Sequence, residues 1–377
     1  MNQRSYLDYN ATTPLRDEVR AAVVDALSLT GNPSSVHEEG RRARAAIEAA
    51  REKVALLVGA RPEDVIFTSG GTEANALALT QGGDGVCRFV SAIEHPSVLA
   101  AVPEATRIQV TSDGVIDLEK LETALQDPHI EGERPFVSLM AANNETGAIQ
   151  PVAETAKIVK GAKGLLHSDA VQASGRIRLD LGALGADMLS LSAHKIGGPK
   201  GVAALVVREG VTVEPLIKGG GQERRRRAGT ENVPGIVGFG VAAELAAADL
   251  ARLGEIAALR DELEARVLAI AHDALVLSAR VPRLANTSCI AVPGAKAETL
   301  VIGLDLAGVA VSSGSACSSG KVEASHVLAA MGVAPEIARG AIRVSLGFES
   351  KRDDIEAFLK AFGELIERLK TGRKAAA

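Results

Sequence analysis

The sequence has no tryptophan and only two tyrosines, so aromatic residues make up 2% of its 377 positions. A core built under that restriction rests on Ala, Val, Leu and Ile. The aromatic platforms on which single-stranded nucleic acid stacks are missing as well. A net charge of -5 argues in the same direction against a nucleic-acid partner. Cysteine is equally scarce: Cys87, Cys289 and Cys317 form no CxxC pair and no metal-ligand spacing. An odd, dispersed set of thiols builds no disulfide framework. No uninterrupted apolar run reaches the ~20 residues that span a bilayer, because Gly, Asp or Glu breaks the longest candidates. The amino-terminal residues Met1-Asn2-Gln3-Arg4-Ser5-Tyr6-Leu7-Asp8 are polar and lack the apolar stretch of a signal peptide. These absences lead to an expectation of a reducing cytoplasm, with no metal, no nucleic acid and no membrane partner.

What is present describes a folded enzyme-sized chain. Hydrophobic residues make up 46% and charged residues 24%, with room for a large core and two domains. From about 61 to 207 short apolar runs alternate with helical ones. Asp64–Thr68, Val86–Val90, Pro135–Met140, Leu165–His167, Met188–Leu191 and Val202–Val207 read as strands covered on both faces, and Asp117–Leu125 as one of the intervening helices. The pattern is βαβ, hence an α/β fold with a mainly parallel sheet. Residues 233–273 read as one long helical region. Beyond it come a strand at Asn286–Val292, a helix at Ala297–Leu306, a strand at Ala341–Leu346 and a terminal helix at 352–369, the layout of a smaller α+β domain. The Lys-Ala tail after Thr371 reads as disordered.

Several polar residues fall just past strand ends, where open α/β sheets bind ligands. Lys195 lies on the tight turn Ser192-Ala193-His194-Lys195-Ile196-Gly197-Gly198-Pro199, a position suited to Schiff-base formation with an aldehyde cofactor. Asp169 ends the preceding strand, and a carboxylate there keeps a pyridinium nitrogen protonated. Ser69-Gly70-Gly71-Thr72-Glu73 joins a strand to a helix start and forms an anion site, or simply a capped helix. His95, Asn144 and Gln172 are placed in the same way, the last two as donors to a phenolate oxygen. Cys317 sits in a small polar loop, Ser312–Gly320, which favours a nucleophile over a core thiol. Arg343 is the one charge in an apolar strand, either a fork for a carboxylate or an edge residue facing solvent. The run Arg224–Arg227 suits a subunit interface or an anionic ligand, and Thr230 beyond it a helix cap or a phosphate contact.

Taken together, the chain resembles a cysteine desulfurase of the class V aminotransferase family, the group of iron-sulfur and nitrogen-fixation desulfurases. The resemblance runs from Tyr6–Pro14 to the Arg343 strand, through Gly31-Asn32-Pro33-Ser34-Ser35, Thr68–Glu73, Asn143-Asn144-Glu145, Ser192–Gly201 and Ser313–Cys317. It implies the fold type I of pyridoxal 5'-phosphate-dependent transferases, with a seven-stranded large domain at 15–255 and a small domain made of 1–14 and 256–377. It also implies that Lys195 holds the cofactor and shuttles a proton. Asp169 pairs with the pyridinium, and His95 stacks on the ring and assists proton transfer. Gly71, Thr72, Ser192 and His194 hold the phosphate, with Thr230 from the second subunit of a homodimer. Asn144 and Gln172 touch the ring oxygen, and Arg343 with Asn144 binds the substrate carboxylate. Cys317 attacks the sulfur of L-cysteine, leaving alanine and a persulfide for a sulfur acceptor such as an iron-sulfur scaffold. A selenocysteine lyase or another class V aminotransferase would use the same pocket, although an aminotransferase has no use for Cys317. Two stretches depart from the family pattern, Ser318–His326 after the cysteine and Ala338–Ile342 before Arg343. They bear on the acceptor and leave the chemistry intact.

Overall fold

The computed structural model describes residues 4–83, 85–128, 132–314 and 324–376. In chain order the strands are β1 (Ser5–Tyr6), β2 (Val65–Thr68), β3 (Val86–Ser91), β4 (Thr106–Ile108), β5 (Arg134–Ser138), β6 (Leu165–Asp169), β7 (Met188–Ser192), β8 (Ala203–Val207), β9 (Leu275–Leu277), β10 (Thr287–Ala291), β11 (Val309–Ala310), β12 (Ser312–Ser313) and β13 (Ala341–Ser345). Seven of them form one sheet in the order β2-β8-β7-β6-β5-β3-β4. Only β8 runs against its neighbours, so the sheet is mainly parallel, as the βαβ pattern predicts.

Alternate residues of these strands feed two different apolar clusters. Phe67, Val137, Leu189 and Val206 join one, while Ile66, Phe136, Met188 and Leu205 join the other. The unbroken apolar runs in the sequence thus correspond to strands buried on both faces. Helices Asp17–Leu27, Glu38–Leu57, Val152–Gly161 and Val233–Asp249 contribute to the first cluster, and Gly71–Leu79 to the second. Helix Val233–Asp249 lies close against Glu38–Leu57: a Cβ at Gly240 would stand 2.7 Å from Ala50 Cα, so only glycine permits that approach. The strand β4 escapes sequence reading because Thr106-Arg107-Ile108 is short and two of its side chains are exposed.

A four-stranded antiparallel sheet, β12-β13-β10-β9, and the parallel pair β1-β11 lie outside the large sheet. Their core gathers Leu7 from the amino terminus with Ile256, Leu263, Leu300, Val344 and Phe358. The helical region expected at 233–273 is two α-helices, Val233–Asp249 and Leu253–Ile270, joined by a single 3-10 turn at Leu250–Arg252. Val233–Ile270 is long and apolar enough to cross a membrane by length and composition, which no uninterrupted run in the sequence indicated. Ile236, Phe239, Ala242 and Ala246 of that stretch are instead packed in the large core. The terminal helix continues from Arg352 to Ala376, beyond the Thr371 after which the sequence reads as disordered.

Candidate active site

Six strands of the large sheet point the same way, and five of them deliver a polar side chain at or just past their carboxyl ends: β2, β3, β5, β6 and β7. Gly71 and Thr72 follow β2, His95 follows β3, Asn144 follows β5, Asp169 ends β6, and Ser192, His194 and Lys195 close β7. These residues, with Gln172, line one cavity of about 210 Å³. Convergence at this edge is a consequence of parallel pairing, which brings strand ends together whatever the sequence between them.

Lys195 lies in the 3-10 turn Ala193–Lys195. Its Nζ donates to the carbonyls of Asn10 at 2.6 Å and Ala11 at 2.9 Å, and Thr13 Oγ1 donates to its own carbonyl at 2.8 Å. The amino-terminal segment therefore fixes the lysine from both ends. Asp169 is 6% exposed. Its Oδ1 accepts from Val171 N at 3.0 Å and its Oδ2 from Asn75 Nδ2 at 2.7 Å. Asn75 also donates to Ser97 Oγ at 2.9 Å. Both Asn75 and Ser97 line the cavity and escaped sequence reading. The available signal was spacing: Asn75 lies three residues after Thr72 on one helix, hence on the same face.

His95 Nδ1 accepts from Ser97 N at 3.1 Å, which leaves the ring proton on Nε2. Burial lowers its pKa, with Asp169 opposing and Lys195 and His326 adding to the effect. The ring is neutral at pH 7. His194 is neutral too, pushed down to about 4 by burial and by Lys195, Lys200 and Arg176. Its Nδ1 lies 3.2 Å from Thr12 Oγ1. Any anion in the cavity would therefore meet hydroxyls and N–H dipoles here, not an imidazolium.

Gln172 Nε2 donates to Asn10 O at 2.9 Å, while its Oε1 accepts from Arg176 Nη1. Burial pulls the Arg176 pKa down to about 9, with Arg343 adding repulsion. Arg176 also donates to Asn10 Oδ1 at 2.9 Å and to the carbonyls of Tyr9 and Lys195. It ties the amino-terminal segment to the lysine turn, a role invisible in sequence because it runs through Asn10 and the carbonyls of Tyr9 and Lys195, all distant along the chain.

The structure leaves two expected residues off the cavity wall. Arg343, on β13, donates from Nη2 to Asp8 Oδ1 at 2.8 Å and from Nη1 to Asn144 O at 3.0 Å. Its Nε is buried with no hydrogen-bond partner among the described residues. Thr230 is exposed and lines a separate hollow with Ser69, Arg227 and Asn232. Cys317 lies outside the described residues, while Cys289 is buried with its thiol pushed up to about 12 by burial and by Glu145. Cys87, half-buried on β3, is pushed up as well, by burial and Glu133.

The family model for aminotransferase class V matches residues 5–358. The cysteine desulfurase IscS of Dictyoglomus turgidum is 42% identical over an alignment covering 98% of this chain and 96% of that protein. Among solved structures, the NifS-like protein of Rickettsia africae superposes with a TM-score of 0.89 at 38% identity, covering 97% of this chain and 100% of that one. A structure of SspA in complex with cysteine gives a TM-score of 0.77 at 30% identity, covering 91% and 98%. With this match along nearly its whole length and with strand ends converging on a lysine and a carboxylate, the chain belongs to the class-V aminotransferases, pyridoxal 5'-phosphate-dependent enzymes of fold type I, and among them to the cysteine desulfurases.

Proposed function

We propose that the protein removes sulfur from L-cysteine, releasing alanine and passing the sulfur through Cys317 to an acceptor protein. The observation that carries this reading is the meeting of the Lys195 amine, the Asp169 carboxylate and the start of helix Gly71–Leu79 around one cavity. That donor set fits pyridoxal 5'-phosphate. Ser192 Oγ is buried with no hydrogen-bond partner among the described residues. Ser192 lies close to Gly71, since a Cβ built on that glycine would stand 3.7 Å from Ser192 Cβ. An unmet hydroxyl beside the free N–H groups of a helix start is a phosphate site.

When bound, the cofactor supplies an aldehyde for amines and a ring that withdraws electrons from the substrate α-carbon. Gly71, Thr72, Ser192 and His194 would hold its phosphate, and Asp169 would keep a proton on the ring nitrogen. Asn144 and Gln172 would donate to the ring oxygen, and neutral His95 would stack on the ring. Lys195 Nζ takes the α-proton and returns it later. Arg343, which donates to the Asn144 carbonyl, would bind the substrate carboxylate together with Asn144. The Cys317 thiolate then attacks the substrate sulfur: an S–S bond forms, the Cβ–S bond breaks, and its electron pair becomes a C–H bond of alanine on protonation.

The same reading includes a homodimer in which Thr230 of the partner subunit completes the phosphate site. Exposure of Thr230 away from its own cavity supports it. It also includes the division into 15–255 and 1–14 with 256–377, an iron-sulfur scaffold as acceptor, and residence in the cytoplasm. The test is borohydride reduction and peptide mapping of purified protein, paired with alanine and sulfide assays on L-cysteine. A pyridoxyl group on Lys195 and alanine formation are expected. A label on Lys200 or Lys218, or turnover of L-selenocysteine alone, would overturn the reading.

A further inference from the structure

Glu145 has no role in the chemistry above, yet it is a carboxylate only 3% exposed. It follows Asn144, and the turn that holds both is locked by Asn143 Oδ1, which accepts from Glu145 N at 2.9 Å and Thr146 N at 3.0 Å. The Glu145 side chain reaches away from the large sheet. Its Oε2 accepts from Ser325 Oγ at 2.6 Å, and Ser325 Oγ in turn accepts from Leu328 N at 3.1 Å, capping helix His326–Ala330. The same Oε2 lies against Gly314, where a Cβ would stand only 2.7 Å away. Gly314 has no left-handed backbone torsion, so this contact, and not chain conformation, is what an added methyl would disturb. In sequence, Gly314 and Ser325 bracket the segment that carries Cys317.

We propose that Glu145 is a positioning residue for sulfur transfer, holding the two flanks of the Cys317 segment to the turn that presents Asn144. The inference rests on the desulfurase reading. Glu145 touches neither cofactor nor substrate in that reading and acts through Gly314 and Ser325. An ionised carboxylate accepts the Ser325 hydroxyl more strongly than a neutral carboxyl does, so the link tightens as Glu145 loses its proton. Burial pushes its pKa up to about 7, against the Ser325 hydrogen bond and the charge of Arg343, which lower it. Among the described residues the Cys289 thiol also interacts with it, and Asp8 pairs with the Arg343 that lowers it. Cys289 stays protonated near neutrality because burial pushes its pKa up to about 12.

The experiment compares holoenzyme of wild type, Glu145→Gln, Ser325→Ala and Gly314→Ala. It measures cofactor absorbance, the spectral change on adding L-cysteine, and kcat and KM for alanine from about pH 5.5 to 9. Glutamine keeps the shape of the neutral acid but cannot ionise. The wild-type to Glu145→Gln ratio of kcat should stay near one below pH 6, rise through about pH 7 and level off at about tenfold. KM and the cysteine-induced spectrum should change less than about threefold, because substrate binding and the cofactor steps do not use Glu145. Gly314→Ala should lower kcat in the wild-type background and have little further effect on Ser325→Ala, since both break one link. A ratio that is flat with pH, or additive effects at 314 and 325, would overturn the proposal. If wild type itself makes no alanine, the desulfurase reading fails instead.

Discussion

Asn75 offers a test of the site that sequence alone did not suggest. Replacing it with alanine removes the 2.7 Å hydrogen bond to Asp169 Oδ2 and leaves that carboxylate with the Val171 N–H on its other oxygen. Hydrogen bonds to charged groups contribute about 1.5–3 kcal/mol, which corresponds to about 10- to 100-fold in rate if the carboxylate must be held to act. The cost to folding should be smaller. Asn75 Oδ1 is already buried with no hydrogen-bond partner among the described residues, so the substitution also removes an unmet polar atom. The account therefore predicts a split: kcat for alanine formation falls at least tenfold, while the thermal midpoint drops by no more than about 1.5 °C, roughly 1 kcal/mol or less in a chain of 377 residues. The assay is steady-state turnover on cofactor-saturated protein beside a melting curve. Unchanged kcat, within threefold, would show that Asp169 needs no such orientation and that its place beside the ring has been misread. Loss of activity only in proportion to lost folding would refute the reasoning equally.

The remaining predictions concern stability and assembly. Because burial raises Glu145 to about 7 from 4.5, the folded chain holds one more proton than the unfolded between those pH values, so stability falls as pH rises through that window and levels above it. Denaturant curves at pH 5 and pH 8 should show Glu145→Gln gaining up to about 3 kcal/mol on wild type across the interval, and an equal slope in both proteins would contradict the shift. Glu223 accepts from Arg51 at 2.8 and 2.9 Å and from Phe67 N at 3.0 Å, and it begins three successive residues with left-handed torsions, φ 44, 56 and 65. Glu223→Ala leaves Arg51 buried without its main counter-charge and should cost about 3–5 kcal/mol in chemical denaturation; a loss below 1 kcal/mol would mean the pair is dispensable. Mixing Lys195→Ala with Thr230→Ala subunits should restore part of the activity if the sites are shared between subunits, and a monomer in sedimentation would exclude that arrangement.

Lys195, Asp169, His95 and Asn144 were legible because each follows an apolar run, and parallel strand ends converge by geometry alone. The Gly71-Thr72 helix start was legible for the same reason as a place for an anion or a capped helix, while Ser192 entered only through the family resemblance. What stayed hidden has partners that leave no sequence trace. The carbonyls of Asn10 and Ala11 that receive the Lys195 amine belong to a segment 184 or more residues away. Arg176 spends most of its donors on main-chain oxygens, and Asn75 sits among Ala and Leu residues of an apolar helix, where it reads as part of the packing face. Glu145 was visible only as part of a motif. Its side chain is met by Gly314 and Ser325, brought over from the opposite end of the chain. The break at Leu250–Arg252 was missed because the residues there, Leu-Ala-Arg, are ordinary helix formers with no Gly or Pro to mark it.

The central claim is that Lys195 and Cys317 divide the reaction between a cofactor half and a sulfur half. Single-turnover spectroscopy of Cys317→Ser with L-cysteine, paired with mass spectrometry of wild type under turnover, tests it most directly. The mutant should still show the substrate-induced spectral change, because that step uses Lys195 and no thiol, but release no alanine, because a hydroxyl is a far poorer nucleophile toward sulfur. The wild-type persulfide should map to Cys317. Alanine formation by the mutant at the wild-type rate, or extra sulfur on Cys87 or Cys289 instead, would contradict the account.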